Sequence, residues 1–181
     1  MSKNKVCLWA SILFVIICCF GQAAEVSVLP KNENEINVYF SPKGGCTEAI
    51  VAEINKAKVS IYVQAYSFTS YPITEALIAA HSRDVKVEVV IDGKQIHAKK
   101  VKIGLLTKAG IPVSLDNKHA ISHNKVMVID GHTVITGSFN FTAAAEKSNA
   151  ENLLVIDDSK LADEYINNWN KHRAHSEEFK L

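Results

Sequence analysis

Residues 123–140 bring together five side chains that can perform acid–base, nucleophilic or anion-binding chemistry. They are His123, Lys125, Asp130, Ser138 and Asn140. His123 and Lys125 stand two apart beside a run rich in β-branched residues, and side chains two apart on a strand point to the same face. Asp130 has the opposite parity, so a regular strand would turn it away from that pair. The spacing therefore predicts a paired imidazole and ammonium group.

The chemistry of this set favours a phosphoryl group as the bound anion. Lys125 supplies a compact positive charge, Ser138 a hydroxyl and Asn140 two amide donors. Gly137 allows close approach of the backbone. His123 can act as nucleophile or as general acid and base near neutral pH. Because a phosphoryl group in transfer needs several donors at once, we expect these residues to bind it together.

A hairpin is expected to position these side chains. The run Lys125–Ile129 predicts one strand, Asp130-Gly131 is a turn signal, and residues 133–136 predict the returning strand. Ser138 and Asn140, again two apart, follow the end of that second strand. We therefore expect one hairpin to carry both halves of the site.

The pattern H-x-K-x4-D-x6-G-S-x-N resembles the signature of the phospholipase D superfamily, often called the HKD motif. The chain carries it without departure, from His123 through Asp130 to the segment Gly137-Ser138-Phe139-Asn140. Within that family the chain looks most like the small bacterial endonucleases of the Nuc type, and the resemblance covers roughly residues 34–175. Those nucleases have a carboxylate that orients the nucleophilic histidine, and the resemblance places Glu151 in that role.

The resemblance implies chemistry that uses two histidines. One attacks phosphorus to give a phosphohistidine, and the other protonates the leaving alcohol and later activates water. A single imidazole cannot do both at once, since one ring must be neutral while the other is cationic. The segment His97-Ala98-Lys99 imitates the start of the motif but lacks its continuation, so the chain holds one motif. We therefore predict a homodimer whose two-fold axis passes through the active site.

The same resemblance implies a catalytic set of His123, Lys125, Asp130 and Glu151. We expect Glu151 to accept a hydrogen bond from the far ring nitrogen of His123 and so to fix its tautomer. The place of Asp130 in a turn fits a structural or interface role equally well. Neither a metal ion nor another cofactor is expected, because lysine and imidazolium supply the positive charge.

Strands alternate with helices along the rest of the chain. This order predicts an α/β fold, a layered α-β-α sandwich with a mixed central sheet in which the hairpin supplies antiparallel pairs. A basic amphipathic helix is expected over residues 94–109, as a polyanion-binding surface or a solvated face, and a final helix over 161–172. Tyr62, Tyr66 and Phe68 are expected in the core rather than as base-stacking residues.

Residues 1–24 have the layout of a secretory signal peptide. Lys3 and Lys5 precede an uncharged run that begins at residue 6, and the segment ends in small residues. The rival interpretation is an uncleaved membrane anchor through residues 6–24, close to the roughly 20 residues that span a bilayer. In either case we expect an exported protein, periplasmic or secreted, with residues 25–181 as a single catalytic domain.

Removal of that segment leaves little net charge and one cysteine. The full chain has 20 basic and 19 acidic residues, and loss of Lys3 and Lys5 leaves 18 against 19, a net charge of −1. Cys46 then lacks an intrachain partner, so no disulfide framework is expected. A protein that relied on non-specific DNA affinity would be more basic, so any basic surface must be local.

The motif predicts the reaction better than it predicts the substrate. The leading hypothesis is a metal-independent phosphodiesterase that hydrolyses DNA, with RNA as a further substrate and little sequence preference. The alternative is a phospholipase D that hydrolyses phospholipid head groups, favoured if the N-terminal segment remains as an anchor. A non-catalytic nucleic-acid-binding module is disfavoured because His123, Lys125, Ser138 and Asn140 are all intact.

Two histidine pairs invite a metal-site interpretation. His119 and His123 stand four apart, and His172 and His175 three apart. Metal ligands at such spacings usually lie on helices and have acidic or cysteine partners, and no cluster of such partners accompanies these histidines in the sequence. His172 and His175 are therefore interpreted as tail residues of the last helix, and no metal site is predicted.

Overall fold

The computed structural model of the chain describes residues 35–97 and 102–180. The predicted signal segment, residues 1–24, and residues 98–101 lie outside this part. The strands are β1 Glu35–Ser41, β2 Ser60–Ala65, β3 Lys86–Asp92, β4 Val113–Asp116, β5 Lys125–Ile129, β6 Thr133–Gly137, β7 Glu151–Asp157 and β8 Glu177–Glu178. The α-helices are α1 Cys46–Lys56, α2 Tyr71–His81, α3 Ile103–Lys108, α4 Ala143–Lys147 and α5 Ser159–His175, and a 3₁₀ helix spans Gly93–His97.

The strands form one mixed sheet in the order β1-β7-β6-β5-β2-β3-β4-β8. Strands β2, β3 and β4 run parallel, and every other neighbouring pair is antiparallel. The parallel pairs are joined through α2 and through the segment that contains α3, as parallel connections require. The predicted layered α/β fold with a mixed sheet is confirmed.

Helices cover both faces of this sheet, and β5 shows why. Each of its five residues is buried. Met127 and Ile129 face the larger core, which α1, α2 and α3 cover, whereas Val126 and Val128 face a smaller core beneath α5. A strand buried on both faces needs a near-continuous apolar run, which residues 126–129 supply after Lys125. The start of β5 is therefore held in a rigid interior.

The predicted hairpin between β5 and β6 is present. Asp130 and Gly131 both have positive φ, 52° and 71°, as a tight turn between strands of this twist requires. Ile129 pairs with Thr133 and Met127 with Ile135. The hairpin therefore fixes the register that brings the start of β5 and the end of β6 to the same end of the sheet.

Two helix predictions need correction. The basic helix expected over 94–109 is instead a 3₁₀ helix followed by the short helix α3, with residues 98–101 outside the described part. Asp92 accepts a hydrogen bond from the backbone N–H of Lys94, which favours a tight turn there over an α-helix. The final helix begins earlier and ends later than predicted, because Asp158 caps it through the N–H of Leu161. Strand β8 was not predicted.

None of the helices within residues 35–97 and 102–180 is long and apolar enough to cross a membrane.

Candidate active site

The motif residues converge at one end of the sheet. Strand β5 begins there at Lys125, β6 ends there at Gly137, and β7 begins there at Glu151. The pairings of Ala65 with Lys125 and of Gly137 with Leu153 align these ends. We call this the motif end; strands β1, β2, β3 and β4 also terminate at it. The sheet topology therefore gathers segments that are far apart in sequence.

His123 and Lys125 lie together at the motif end. His123 is exposed, whereas Lys125 is buried with 6% of its surface accessible. The Lys125 Nζ donates a 2.8 Å hydrogen bond to the carbonyl oxygen of His123. Burial lowers the pKa of Lys125, and the negative charge of Glu151 offsets part of that effect. An ammonium group partly stripped of water binds an anion more strongly than one at the surface.

The aromatic ring of Tyr66 contacts both members of this pair. Its centroid lies 4.5 Å from that of the His123 ring, and the Lys125 Nζ lies 5.0 Å from it. Tyr66 directly follows β2, whose last residue Ala65 pairs with Lys125, and its N–H donates to the carbonyl of Asn124. The sequence placed Tyr66 in the core, and the structure makes it a neighbour of the candidate nucleophile. Only the strand pairing, which the sequence does not reveal, could have identified it.

Ser138, directly after β6, and Glu151, the first residue of β7, form a second pair. The Ser138 hydroxyl donates a 2.6 Å hydrogen bond to the Oε2 of Glu151 and accepts one of 3.1 Å from the N–H of Asn152. The other carboxylate oxygen, Oε1, accepts from the Nδ2 of Asn149 at 3.1 Å. The hydrogen bond predicted from His123 to Glu151 is not among those of the described residues. Instead, Glu151 is oriented by Ser138 and Asn149.

Gly137 and Asn140 lie on either side of Ser138 in the chain, and the packing around them restricts the backbone of this segment. Gly137 has a φ of 148°, and a Cβ placed on it would lie 2.3 Å from the carbonyl oxygen of Asn152, so only glycine fits. Phe139 and Phe141 are fully buried on either side of Asn140. The Oδ1 of Asn140 is buried and lacks a hydrogen-bond partner among the described residues. Such a group is costly to leave unpaired, and a ligand or another chain can satisfy it.

Asp130 lies at the opposite end of the sheet, so the structure does not bring it together with His123. Its carboxylate accepts hydrogen bonds of 2.8 to 2.9 Å from the N–H groups of Lys58, Val59 and Ser60. Burial raises its pKa, but these three donors outweigh burial and lower the pKa overall. The length of β5 separates it from Lys125, which favours the structural role for Asp130 over a place in the catalytic set. Asp130 ties the hairpin turn to the start of β2.

Lysines surround the motif end. Four exposed lysines, one in each of four chain segments at this end, form what we call the lysine rim: Lys43, Lys94, Lys118 and Lys147. The Lys94 Nζ donates to the carbonyl of Ala120, next to the motif. The buried Asp92 at this end already accepts a hydrogen bond of 2.7 Å from the N–H of Ser122. The motif end therefore presents four exposed cationic side chains on a chain of near-zero net charge.

Comparison with known proteins finds a matching family model and related sequences. Residues 50–173 match the family model described as "Cardiolipin synthase, PLD-like domain". The chain is 43% identical over 153 residues to a phospholipase D of Rickettsia conorii, covering 84% of this chain and 76% of that protein. It is 35% identical over 116 residues to the mitochondrial cardiolipin hydrolase of Xenopus laevis, covering 64% of this chain and 55% of that protein.

A solved structure shows the same fold. The phospholipase D family member Nuc from Salmonella typhimurium has a TM-score of 0.79 to this chain at 37% identity. The match covers 82% of this chain and 100% of Nuc. Together with the family model, it confirms the predicted resemblance to the phospholipase D superfamily and to Nuc-type proteins.

Proposed function

The chain belongs to the phospholipase D superfamily of phosphodiester hydrolases, and from that premise we propose that it is an exported, metal-independent endonuclease. The proposed substrate is DNA, with RNA as a second polyanion of the same backbone chemistry, cleaved with little sequence preference. The observation that carries this proposal is the lysine rim, Lys43, Lys94, Lys118 and Lys147, around the paired His123 and Lys125. An extended polyanion has phosphates on both sides of the one that reaches the histidine and offers them to such lysines, whereas a single head group has none.

The proposed reaction has two steps in which His123 forms and then loses a bond to phosphorus. A ring nitrogen of neutral His123 attacks phosphorus, and the bond to the leaving oxygen breaks as a second, protonated imidazole gives that oxygen a proton. The second imidazole, now neutral, takes a proton from water, and the oxygen of that water displaces His123 from phosphorus. Lys125 neutralises the phosphoryl oxygens throughout.

We propose that the second imidazole is His123 of another copy of the chain. The homodimer has its two-fold axis through the motif end, so that each His123 faces the other across one phosphodiester. Three observations on the single chain support it: His123 is exposed, Glu151 hydrogen-bonds Ser138 and Asn149, and the Oδ1 of Asn140 lacks a partner among the described residues. Sedimentation of the active protein as a monomer would contradict the homodimer.

Mixed dimers test the shared site. When wild-type protein exchanges subunits with an equal amount of inactive His123→Asn protein, only dimers of two wild-type chains keep both imidazoles. We expect activity per total protein to fall to about a quarter, the share of those dimers. Equal mixing with His132→Asn protein is the matched control. It is expected to leave activity unchanged, because His132 lies at the opposite end of the sheet. A fall to one half with His123→Asn would indicate independent sites.

The nuclease activity is tested with supercoiled plasmid and excess EDTA. We expect the wild-type protein and His132→Ala to nick the plasmid, and His123→Ala to leave it intact although it is folded by circular dichroism. Reversal of the charge on two rim residues, Lys94→Glu and Lys118→Glu, is expected to weaken DNA binding and to reduce its salt dependence. Absence of nicking by folded wild-type protein would contradict the proposal.

A second candidate function is hydrolysis of phospholipid head groups. The names of the relatives in Rickettsia conorii and Xenopus laevis, a phospholipase D and a cardiolipin hydrolase, favour it. Ile121, two residues before His123, is 55% exposed, and an apolar side chain beside the nucleophile suits contact with a bilayer. Release of head groups from phosphatidylcholine or cardiolipin vesicles by a protein that leaves plasmid intact would establish this function instead.

The proposed export is tested on the mature protein. Cleavage after Ala24 predicts an N-terminal sequence that begins at Glu25 in protein recovered from the periplasm or the medium. A membrane-bound chain that begins at Met1 would support the anchor through residues 6–24 and contradict cleavage.

A further inference from the structure

Three imidazoles from two segments converge on one buried carboxylate near the edge of the sheet. Asp116 ends β4, and its side chain is fully buried. The Nδ1 atoms of His172 and His119 lie 2.7 and 3.0 Å from its Oδ2, and the Nε2 of His175 lies 3.3 Å from its Oδ1. The proposed nuclease chemistry uses none of these residues. We call this group the histidine cluster.

The donor atoms of the histidine cluster are close enough to share one ion. One ligand atom from each of Asp116, His119, His172 and His175 can be chosen so that all four lie within 4.8 Å of one another. Four ligands at zinc bond lengths are about 3.4 Å apart, between the 2.7 to 3.3 Å contacts to Asp116 and the 4.8 Å limit of the set, so a bound ion needs only a small rearrangement of the rings. His119 lies on a loop with 43% of its side chain exposed and can make that movement.

Hydrogen bonding alone leaves this cluster incompletely satisfied. The Nδ1 atoms of His119 and His172 both approach the same oxygen of Asp116. The Nε2 of His175 is buried and makes no well-formed hydrogen bond within the described residues. The three imidazole rings pack against one another with centroids 4.8 to 5.4 Å apart, so they converge on one point. A cation shared with Asp116 gives one nitrogen of each ring a metal bond in place of these crowded contacts.

Three of the four side chains are held on rigid elements. His172 and His175 lie one turn apart near the end of α5, which Trp169 fixes through a 2.9 Å hydrogen bond from its Nε1 to the carbonyl of Val63. Asp116 is fixed by the N–H of Lys118, which donates to its Oδ1 at 3.1 Å. A site with most of its ligands already in place binds a metal with little loss of conformational entropy.

From this geometry we propose that Asp116, His119, His172 and His175 form a structural binding site for a divalent transition metal, zinc first. Three imidazoles and one carboxylate suit zinc, whereas magnesium and calcium prefer oxygen ligands. The ion connects the end of β4, the loop after it and the end of α5.

The site is separate from the catalytic one but is connected to it through the chain. Strand β4 lies three strands from β5 in the sheet, about 14 Å at ordinary strand spacing. The loop that leaves Asp116 carries His119 and then reaches His123. A metal on His119 therefore fixes one end of the loop whose other end carries the nucleophile, without taking part in the reaction.

Metal binding by the full-length protein tests this proposal without an activity assay. The chelator-stripped protein is titrated with Zn²⁺ by calorimetry and with Co²⁺ by visible absorption. We expect one ion per chain and the intense Co²⁺ bands of a tetrahedral site. His119→Gln, in the exposed loop, and His172→Gln are each expected to lose affinity by more than about a hundredfold, since even loss of an outer-shell partner costs up to that much.

Two controls separate the site from other histidines. His132→Gln removes a histidine that contacts the carboxylate of Asp157 at the opposite end of the sheet, and His123→Gln removes the candidate nucleophile. Both are expected to keep wild-type affinity. Absence of stoichiometric binding, an octahedral Co²⁺ spectrum, or unchanged affinity in folded His119→Gln would overturn the site. Loss of binding in His123→Gln would place the metal at the active site instead.

Discussion

The Ser138 hydroxyl donates a 2.6 Å hydrogen bond to the Oε2 of Glu151, from the end of β6 to the start of β7. Hydrogen bonds to a carboxylate are among the stronger ones in proteins. Because the hydroxyl hydrogen is directed at Glu151, Ser138 orients that carboxylate in the free chain. Its contact with a phosphoryl oxygen stays a prediction. The two residues therefore act as one unit, and the negative charge of the unit lies close enough to Lys125 to affect its pKa.

A double-mutant cycle tests this unit. Ser138→Ala and Glu151→Gln are each expected to lower kcat/KM about 10- to 100-fold, and the double variant little further, with a coupling energy of roughly 1.5–3 kcal/mol. The matched control combines Ser138→Ala with Glu164→Gln, because Glu164 is exposed on α5. The effects of these two substitutions are expected to be additive. Additive losses for Ser138 and Glu151 would show that the hydrogen bond has no role in the reaction.

Tyr66 is expected to matter through its ring and not through its hydroxyl. The ring packs against the imidazole of His123 and the ammonium of Lys125, so it limits the orientations of both. Tyr66→Phe keeps the ring and is expected to retain most activity. Tyr66→Leu is expected to lower kcat by about 10- to 100-fold, with little change in KM, because a small displacement of the nucleophile is costly. Equal losses in both variants would assign the effect to the hydroxyl instead.

The sequence predicted the local parts of the site well. The spacing of the motif and the turn at Asp130-Gly131 were sufficient to predict the hairpin, because both depend on residues close together in the chain. Contacts between distant segments could not be predicted: Tyr66 reaches His123 only because β2 pairs with β5. The histidine cluster was dismissed for the same reason, since Asp116 and His172 are 56 residues apart and meet only when α5 folds back over β4.

Lys125 should set the higher of two steps in the alkaline limb of the pH profile, because the protonated second imidazole also loses its proton as pH rises. Burial lowers the pKa of Lys125 below the ordinary lysine value of 10.5, while Glu151 acts in the opposite direction. We therefore expect kcat/KM to fall further as pH rises through a pKa below 10.5, as the ammonium loses its proton. Glu151→Gln removes the offsetting charge and is expected to move this higher step to lower pH. Lys125→Arg, whose guanidinium stays charged, is expected to lack the higher step and to keep the lower one. An unchanged higher step in Lys125→Arg would assign it to another group.

Asp130 should contribute to stability and not to chemistry. Asp130→Asn weakens the three hydrogen bonds from residues 58–60, and we expect unfolding free energy at pH 7 to fall by about 1–3 kcal/mol. Activity per folded molecule is expected to stay within about threefold of wild type, because Asp130 lies at the far end of β5. Asp163→Asn, at an exposed position on α5, is the matched control. A large loss of activity in folded, stable Asp130→Asn would return Asp130 to the catalytic set.

The difference in unfolding free energy between wild type and Asp130→Asn, measured by urea unfolding, is expected to depend on pH. The pKa of Asp130 is lower in the folded protein than in the unfolded chain, so its stabilising effect is fully present above the unfolded value of roughly 4. That effect is lost as pH falls through the lower, folded value. The stability difference between wild type and Asp130→Asn is therefore expected to shrink as pH falls below roughly 4. A difference that does not change with pH would show that the charge of Asp130 is not involved.

The most direct measurement is detection of the covalent bond between His123 and phosphorus. The full-length protein is mixed with an oligonucleotide in EDTA, quenched at alkaline pH within the first turnover, digested and analysed by mass spectrometry. We predict a phosphoramidate-linked nucleotide on the peptide that carries His123, absent from His123→Ala and present in His132→Ala. Cleavage of the oligonucleotide by folded His123→Ala, or an adduct on any other residue, would contradict the central role of His123.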